Sequence, residues 1–223
     1  FGYSILESET ERFKHKVTEF VACDDNVKIY IMKLQNKKNT KVKTNVEFWI
    51  NPTFGNFEEK TSRHILTEFI SEDNYLKMRN VYSINYGDVN VFMSASEHIE
   101  SATCEKMLTK NISFDLDLDE QEEKTLVFVL GCSLSDNENI ELINKYTNIQ
   151  NAKKELKLVK ERWDKTLGII QVDTPDNSFD YMINGWYLYQ TLSSRINAKA
   201  GFYQVSGAFG FRDQLQDAMN IAI

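Results

Sequence analysis

Proline is scarce, with two in 223 residues, and glycine numbers nine. Collagen-like and low-complexity architectures are thereby excluded. Cysteine is equally sparse: Cys23, Cys104 and Cys132 are odd in number and widely spaced. That spacing fits neither a disulfide framework nor a CxxC metal or redox pair. They read as buried free thiols of a reducing cytoplasm, the compartment expected for the protein. No stretch approaches the ~20 apolar residues of a membrane helix, and the N-terminus lacks a basic segment followed by an apolar run. Neither a membrane partner nor a secretion signal is expected. Long Lys/Arg runs are missing too, and the net charge of −7 sets up a field that repels a phosphate backbone. Nucleic acid is excluded as a partner.

What the chain does have is 42% hydrophobic residues, enough to build a core. From Phe13 to about Leu134 the text is strand-like. Short, often alternating runs at Phe13–Ala22, Val27–Asn36, Val42–Ile50, His64–Ile70, Val89–Ser96, Ile112–Leu118 and Thr125–Leu130 predict an antiparallel β-sandwich over 1–134. Turn-forming residues such as Asp24-Asp25-Asn26 and Tyr86-Gly87-Asp88 separate them. After Ser135 the period changes to three and four. Asn139–Tyr146 and Ile149–Leu167, the latter with Ala152, Leu156, Val159 and Trp163 in one stripe, predict a helical linker over 135–173 ended by Gly168.

Thr174-Pro175-Asp176 pairs a capping side chain with proline, which predicts a helix from there to about Ala198. Phe179, Met182, Ile183, Trp186, Tyr189 and Gln190 share one broad face of it, read as packing core. A glycine- and aromatic-rich loop, Gly201–Gly210, leads to helical text over Phe211–Ile223, with Leu215, Ala218, Met219 and Ala222 on the side expected to be buried. The chain closes inside that apolar pattern without a stop signal and opens abruptly at Phe1. Both ends read as cut from a longer protein.

The densest polar text is Gly210-Phe211-Arg212-Asp213-Gln214-Leu215-Gln216-Asp217. On a helix Arg212 and Gln216 are i,i+4 neighbours, as are Asp213 and Asp217. Guanidinium and carboxylate groups bond bidentately to sugar hydroxyls, and aromatic rings such as Tyr203 and Phe209 cover a pyranose's apolar face. A solvent-facing charge network explains the same pattern equally well. Other constellations are weaker. His15, His64 and His98 are isolated, without metal-ligand spacing, so no metal is assigned. Asp115, Asp117 and Asp119 share a strand face but lack the glycine and terminal glutamate of a calcium loop. Ser193, Ser194 and the cysteines have no recognisable His–acid pair.

Several of these segments resemble glycoside hydrolase family 94, the family of cellobiose, cellodextrin, chitobiose and β-1,2-oligoglucan phosphorylases and of the phosphorylase-like part of cyclic β-1,2-glucan synthases. The likeness is carried by Trp163…Leu167-Gly168, Val172-Asp173-Thr174-Pro175-Asp176, Asn184-Gly185-Trp186, Tyr189-Gln190, Ser194-Arg195-Ile196 and Phe202-Tyr203-Gln204…Gly207–Asp217. Thr18–Val21 with Asp24-Asp25 and Val27-Lys28 adds a weaker, collinear match.

The resemblance implies an antiparallel β-sandwich followed by a helical linker and the first helices of an (α/α)6 barrel, here 174–223. It implies an inverting phosphorylase that uses inorganic phosphate on an oligosaccharide, needs no cofactor and forms a homodimer. Arg212 and Asp217 then hold the sugar, supported by Asp213 and Gln216, while the general acid and phosphate-binding residues are expected after Ile223. The variant running from Ser206 to Asp217 looks closer to the β-1,2-glucan-acting members than to cellobiose phosphorylases. The passage Ala95–Lys110 is shorter than in related sequences. Two other readings stand beside this one: a non-catalytic carbohydrate-binding module, and a glucoamylase-like hydrolase.

Overall fold

Strand β3 (Val27–Asn36) and strand β10 (Glu123–Ser133) form the spine of the protein. Both are rich in β-branched and aromatic residues, the types that fill a pleated, two-sided buried surface. In this computed structural model, which describes residues 1–54, 58–82, 84, 86–103, 109–196 and 211–219, the two pair antiparallel with Phe128 opposite Tyr30. Around them the seven-stranded sheet runs in the order β1-β2-β3-β10-β7-β6-β5. Its other members are β1 (Tyr3–Glu9), β2 (Phe13–Val21), β5 (Ile65–Ile70), β6 (Tyr75–Asn80) and β7 (Asn90–Ala95). A three-stranded sheet orders β4 (Val42–Ile50), β9 (Lys110–Leu118) and β8 (Ser101–Ala102) as β4-β9-β8.

The two sheets close on one core. Leu34, Leu76, Met78, Met93, Leu126 and Phe128 from the large sheet meet Val46, Ile112, Phe114, Leu116 and Leu118 from the small one. Opposite parity on the large sheet buries a second layer: Val27, Ile29, Ile31, Phe92, Val127 and Val129. Helix α2 (Asp136–Tyr146) packs on β10 and β7, burying Leu142, Ile143 and Tyr146. Its N-cap is Ser135, which accepts from the Glu138 amide. Helix α3 (Ile149–Leu167) buries Ala152 and Val159 and ends at Gly168, whose amide donates to the Asp164 carbonyl at 2.9 Å. On its buried side Glu155 accepts the Cys23 amide at 2.8 Å, which satisfies a carboxylate otherwise costly to bury. A single helical turn, α1 (Glu58–Thr61), lies before β5.

The expected β-sandwich is present, with three strands beyond those read from sequence: β1, β6 and β8. Cys23 and Cys132 are in no disulfide but are half-buried rather than buried as expected; Cys104 lies outside the described residues. The described chain divides into two compact units, Gly2–Val159 and Lys160–Ile223 together with Phe1.

In the second unit one helical run comprises α4 (Asn177–Tyr181), a π-helical turn (Met182–Trp186), α5 (Tyr187–Thr191) and a second π-helical turn (Leu192–Ile196). Its cap is Asp176, which accepts from the Ser178 and Phe179 amides at 2.9 and 3.3 Å. The helix therefore starts two residues later than a Thr174 cap would place it. Helix α6 (Phe211–Met219) packs on the second π turn.

Candidate functional site

The sequence-predicted sugar motif lies on α6. Arg212 and Gln216 stand one turn apart, and both are exposed. Asp213 and Asp217 occupy positions of the same helix, one turn apart in the same way; their side chains, with Tyr203 and Phe209, lie outside the described residues. Of the six candidates, two are thus brought to one exposed helix surface. Leu215 and Met219, expected on a buried side, are 50% and 68% exposed, and Phe211 is 82% exposed. The apolar stripe of α6 is not covered by the described residues.

The helical run that supports α6 is held by Asn184, which sequence reading assigned only to a family motif, and by Gln171 and Asp180, to which it assigned no role. Asn184, in the first π turn, clamps Val172 from both sides. Its Oδ1 accepts the Val172 amide at 2.7 Å, and its Nδ2 donates to the Val172 carbonyl at 2.8 Å. Gln171 Nε2 donates to the Asn184 carbonyl at 3.2 Å. Six residues beyond Thr174, Asp180 accepts from the Thr174 amide at 3.0 Å and the Thr174 hydroxyl at 2.8 Å. The extended segment 171–174 thus becomes a fixed part of this unit.

Aromatic packing completes the frame. Tyr189 takes Trp163 edge-on at 5.0 Å and Phe1 at 4.8 Å, and Trp186 lies 6.2 Å away. Gly185 permits this, because a Cβ there would come within 3.0 Å of the Phe1 ring. Of the face expected to pack, Met182, Ile183, Tyr189 and Gln190 are half-buried, whereas Trp186 is 36% and Phe179 51% exposed. Sequence reasoning missed the Asn184 and Asp180 clamps. Their only sequence signal is a polar side chain within the helical run, which periodicity cannot pair with a partner 12 residues earlier for Asn184 or six residues earlier for Asp180.

The charged groups of the sandwich serve its architecture. Asp25, in the β2–β3 turn, accepts from Lys145 Nζ at 2.6 Å and from the Tyr146 hydroxyl at 2.5 Å. The Lys145 bond first, then the Tyr146 bond, hold its carboxyl below the usual carboxylate range. Burial, and secondarily the bond to Asp25, pushes the Tyr146 phenol up. Asp115 and Asp117 face solvent and pair with Lys43 at 2.8 Å and Lys41 at 3.3 Å. Among the described residues no three His, Cys, Asp or Glu side chains gather as a metal site, and no helix is long and apolar enough to cross a membrane.

A two-sheet β-sandwich followed by a capped, π-punctuated helical segment with a polar motif on its last described helix is the class of protein that these features define. Comparison with known families makes it particular. The glycosyl hydrolase 94 supersandwich domain matches residues 1–108, and the catalytic domain of the glycosyl hydrolase 94 superfamily matches residues 162–223. The chain belongs to the glycosyl hydrolase 94 family.

Among curated relatives it is similar to the cyclic β-(1,2)-glucan synthase NdvB of Rhizobium meliloti (strain 1021), 26% identical over 252 residues, covering 100% of this chain and 9% of that protein. It is also similar to the N,N'-diacetylchitobiose phosphorylase of Vibrio proteolyticus, 30% identical over 103 residues, covering 45% of this chain and 13% of the relative. The chain therefore spans a small part of the length of either. Among solved structures, the family GH92 inverting mannosidase of Bacteroides thetaiotaomicron overlaps 83% of this chain and 26% of its own at 13% identity and a TM-score of 0.43, an overlap too loose to argue from.

Proposed function

We propose that the chain is the sandwich, linker and leading catalytic helices of an inverting glycoside phosphorylase. The intact enzyme splits a β-linked gluco-oligosaccharide with inorganic phosphate and releases an α-sugar 1-phosphate. The observation that carries this is the motif from Arg212 to Asp217 on α6, within the segment that matches the family's catalytic domain. In this reading Arg212 and Asp217 bind the hydroxyls of the sugar whose anomeric carbon reacts, Asp213 and Gln216 support them, and Tyr203 and Phe209 cover its apolar face.

Phosphate arrives already ionised and attacks the anomeric carbon from the face opposite the leaving oxygen. No general base is needed, only a general acid for the leaving group, and one displacement inverts the anomer. That acid and the phosphate site belong to sequence beyond Ile223. No cofactor enters the chemistry, and the enzyme is a cytoplasmic homodimer. A β-1,2-linked glucan is the favoured substrate, because similarity to a cyclic β-(1,2)-glucan synthase extends over the whole chain.

The test is incubation of the intact protein with β-1,2-gluco-oligosaccharides with and without phosphate, followed by proton NMR of the products. Release of α-glucose 1-phosphate in the presence of phosphate alone is the expected result. Phosphate-independent glucose release would establish a hydrolase instead, and binding without turnover a carbohydrate-binding module.

A further inference from the structure

The outer face of the small sheet turns to solvent. Strand alternation sends Lys43, Asn45, Glu47 and Trp49 outward on β4, opposite Asp117, Asp115, Ser113 and Asn111 on β9. The row from Lys43 to Trp49 spans roughly 20 Å at the rise of a strand.

Trp49 is 59% exposed at its end. A single exposed aromatic is ordinary on a protein surface. This one stands directly opposite Asn111, in a row of planar polar groups already fixed by one another. Asn111 Nδ2 donates to Glu47 Oε1, and the Thr103 hydroxyl donates to Asn111 Oδ1. Two residues from Glu47 along β4, on the same face, Asn45 Nδ2 donates to Asp115 Oδ1 at 3.0 Å, and Lys43 pairs with the same carboxylate. Ordering these side chains costs little more on binding, since their rotamers are restrained beforehand.

Charge narrows the choice of occupant. Lys43 is matched to Asp115, Lys41 to Asp117, and Glu47 holds an amide. The row presents cations and carboxylates interleaved, with no field of one sign for a polyanion or a polycation to follow. What it does present suits a neutral chain rich in hydroxyls: a flat indole for the apolar face of a ring, and carboxylate and carboxamide groups that bond hydroxyls as donor and acceptor. We propose that this face binds a neutral glucan chain, β-linked on the reading proposed above, with a pyranose ring on Trp49 and its hydroxyls bonded by Glu47, Asn111 and Asn45.

The experiment uses the intact protein and affinity electrophoresis in gels containing soluble linear β-1,2-glucan or β-1,3-glucan, with heparin as the charged control. The parent protein is expected to be retarded by a neutral glucan and not by heparin. Trp49→Ala is expected to weaken that retardation about tenfold, the scale of losing an aromatic anchor, and Asn45→Ala to weaken it less. Both side chains are exposed, and thermal melts of the variants verify folding. Equal retardation of parent and both variants overturns the proposal, as does preference for heparin or no retardation by any glucan. Turnover of a short oligosaccharide, measured beside it, reports on the phosphorylase reading independently.

Discussion

Asp25 gathers two hydrogen bonds on a single carboxylate oxygen, and both favour its charged form. Its pKa in the folded protein lies below the unfolded value of about 3.9. Its contribution is therefore fully present above that pH and is lost as pH falls through the lower, folded pKa. Asp25→Asn is expected to lower the melting temperature at pH 7, and the gap to the parent to shrink below about pH 4. A gap independent of pH would show that the carboxylate's charge is not what joins the turn to α2.

Gly131 makes a steric prediction. A Cβ there would lie 2.3 Å from the fully buried Phe92 ring and 3.0 Å from the Asn26 carbonyl. Gly131→Ala must displace β10 or Phe92, and overpacking of that kind costs about 1–3 kcal/mol, readable as a shift in urea midpoint.

In the intact enzyme, Arg212→Ala and Asp217→Asn are each expected to lower kcat/KM for phosphorolysis at least about a hundredfold, since a charged bonding group is lost in each. Unchanged kcat/KM in either would remove that side chain from the proposed site. At this scale sequence reading reaches residue types and spacing on α6. It does not reach Asn184 or Asp25, whose partners are selected by the fold.

Elements whose own periodicity carries the packing are legible in the amino-acid order itself. β3, β4 and α3 have the bounds that alternation and the three-four period predict. β1 is not legible: all seven of its residues are exposed, so no buried face writes a pattern into it. It is held by its hairpin ladder to β2 and by the pairing of Glu7 with Lys16 at 2.6 Å, neither of which leaves a burial pattern in the sequence. β6 does alternate, Leu76 and Met78 with Lys77 and Arg79, but over only six residues. Its cations find partners far along the chain: Lys77 pairs with Asp136 at 2.6 Å, and Arg79 Nη2 donates to the Gly87 carbonyl at 3.1 Å.

The start of α4 is ambiguous in sequence because Thr174 and Asp176 are both competent caps. The carboxylate of Asp180 engages Thr174, which leaves Asp176 at the terminus. Breaking the element's other clamp gives a clear expectation. Asn184→Ala removes the two bonds that tie Val172 to the π turn and should lower stability by about 1–3 kcal/mol. Asn184→Asp, which keeps only the acceptor, should recover part of the loss. Equal stability of all three proteins in chemical denaturation would show that segment 171–174 is held by something else.

Over the whole molecule, apolar surface is distributed unevenly. Gly2–Val159 buries two layers on its large sheet, whereas the unit holding α4–α6 leaves Phe179, Tyr181, Tyr187, Phe211, Leu215 and Met219 half exposed or more. Water in contact with that much aromatic and aliphatic surface favours association. The 223-residue chain, taken alone, is therefore expected to form concentration-dependent oligomers in light scattering. Leu215→Glu combined with Met219→Glu should reduce them, because a charge on an exposed helix position is solvated in the monomer and costly to bury between copies. The same chain should show no phosphorolysis, since the reaction requires an acid for the leaving oxygen and a cationic phosphate site that the proposed mechanism assigns to sequence beyond Ile223. Measurable release of α-glucose 1-phosphate by this chain would place acid and phosphate site within it and overturn that division of roles.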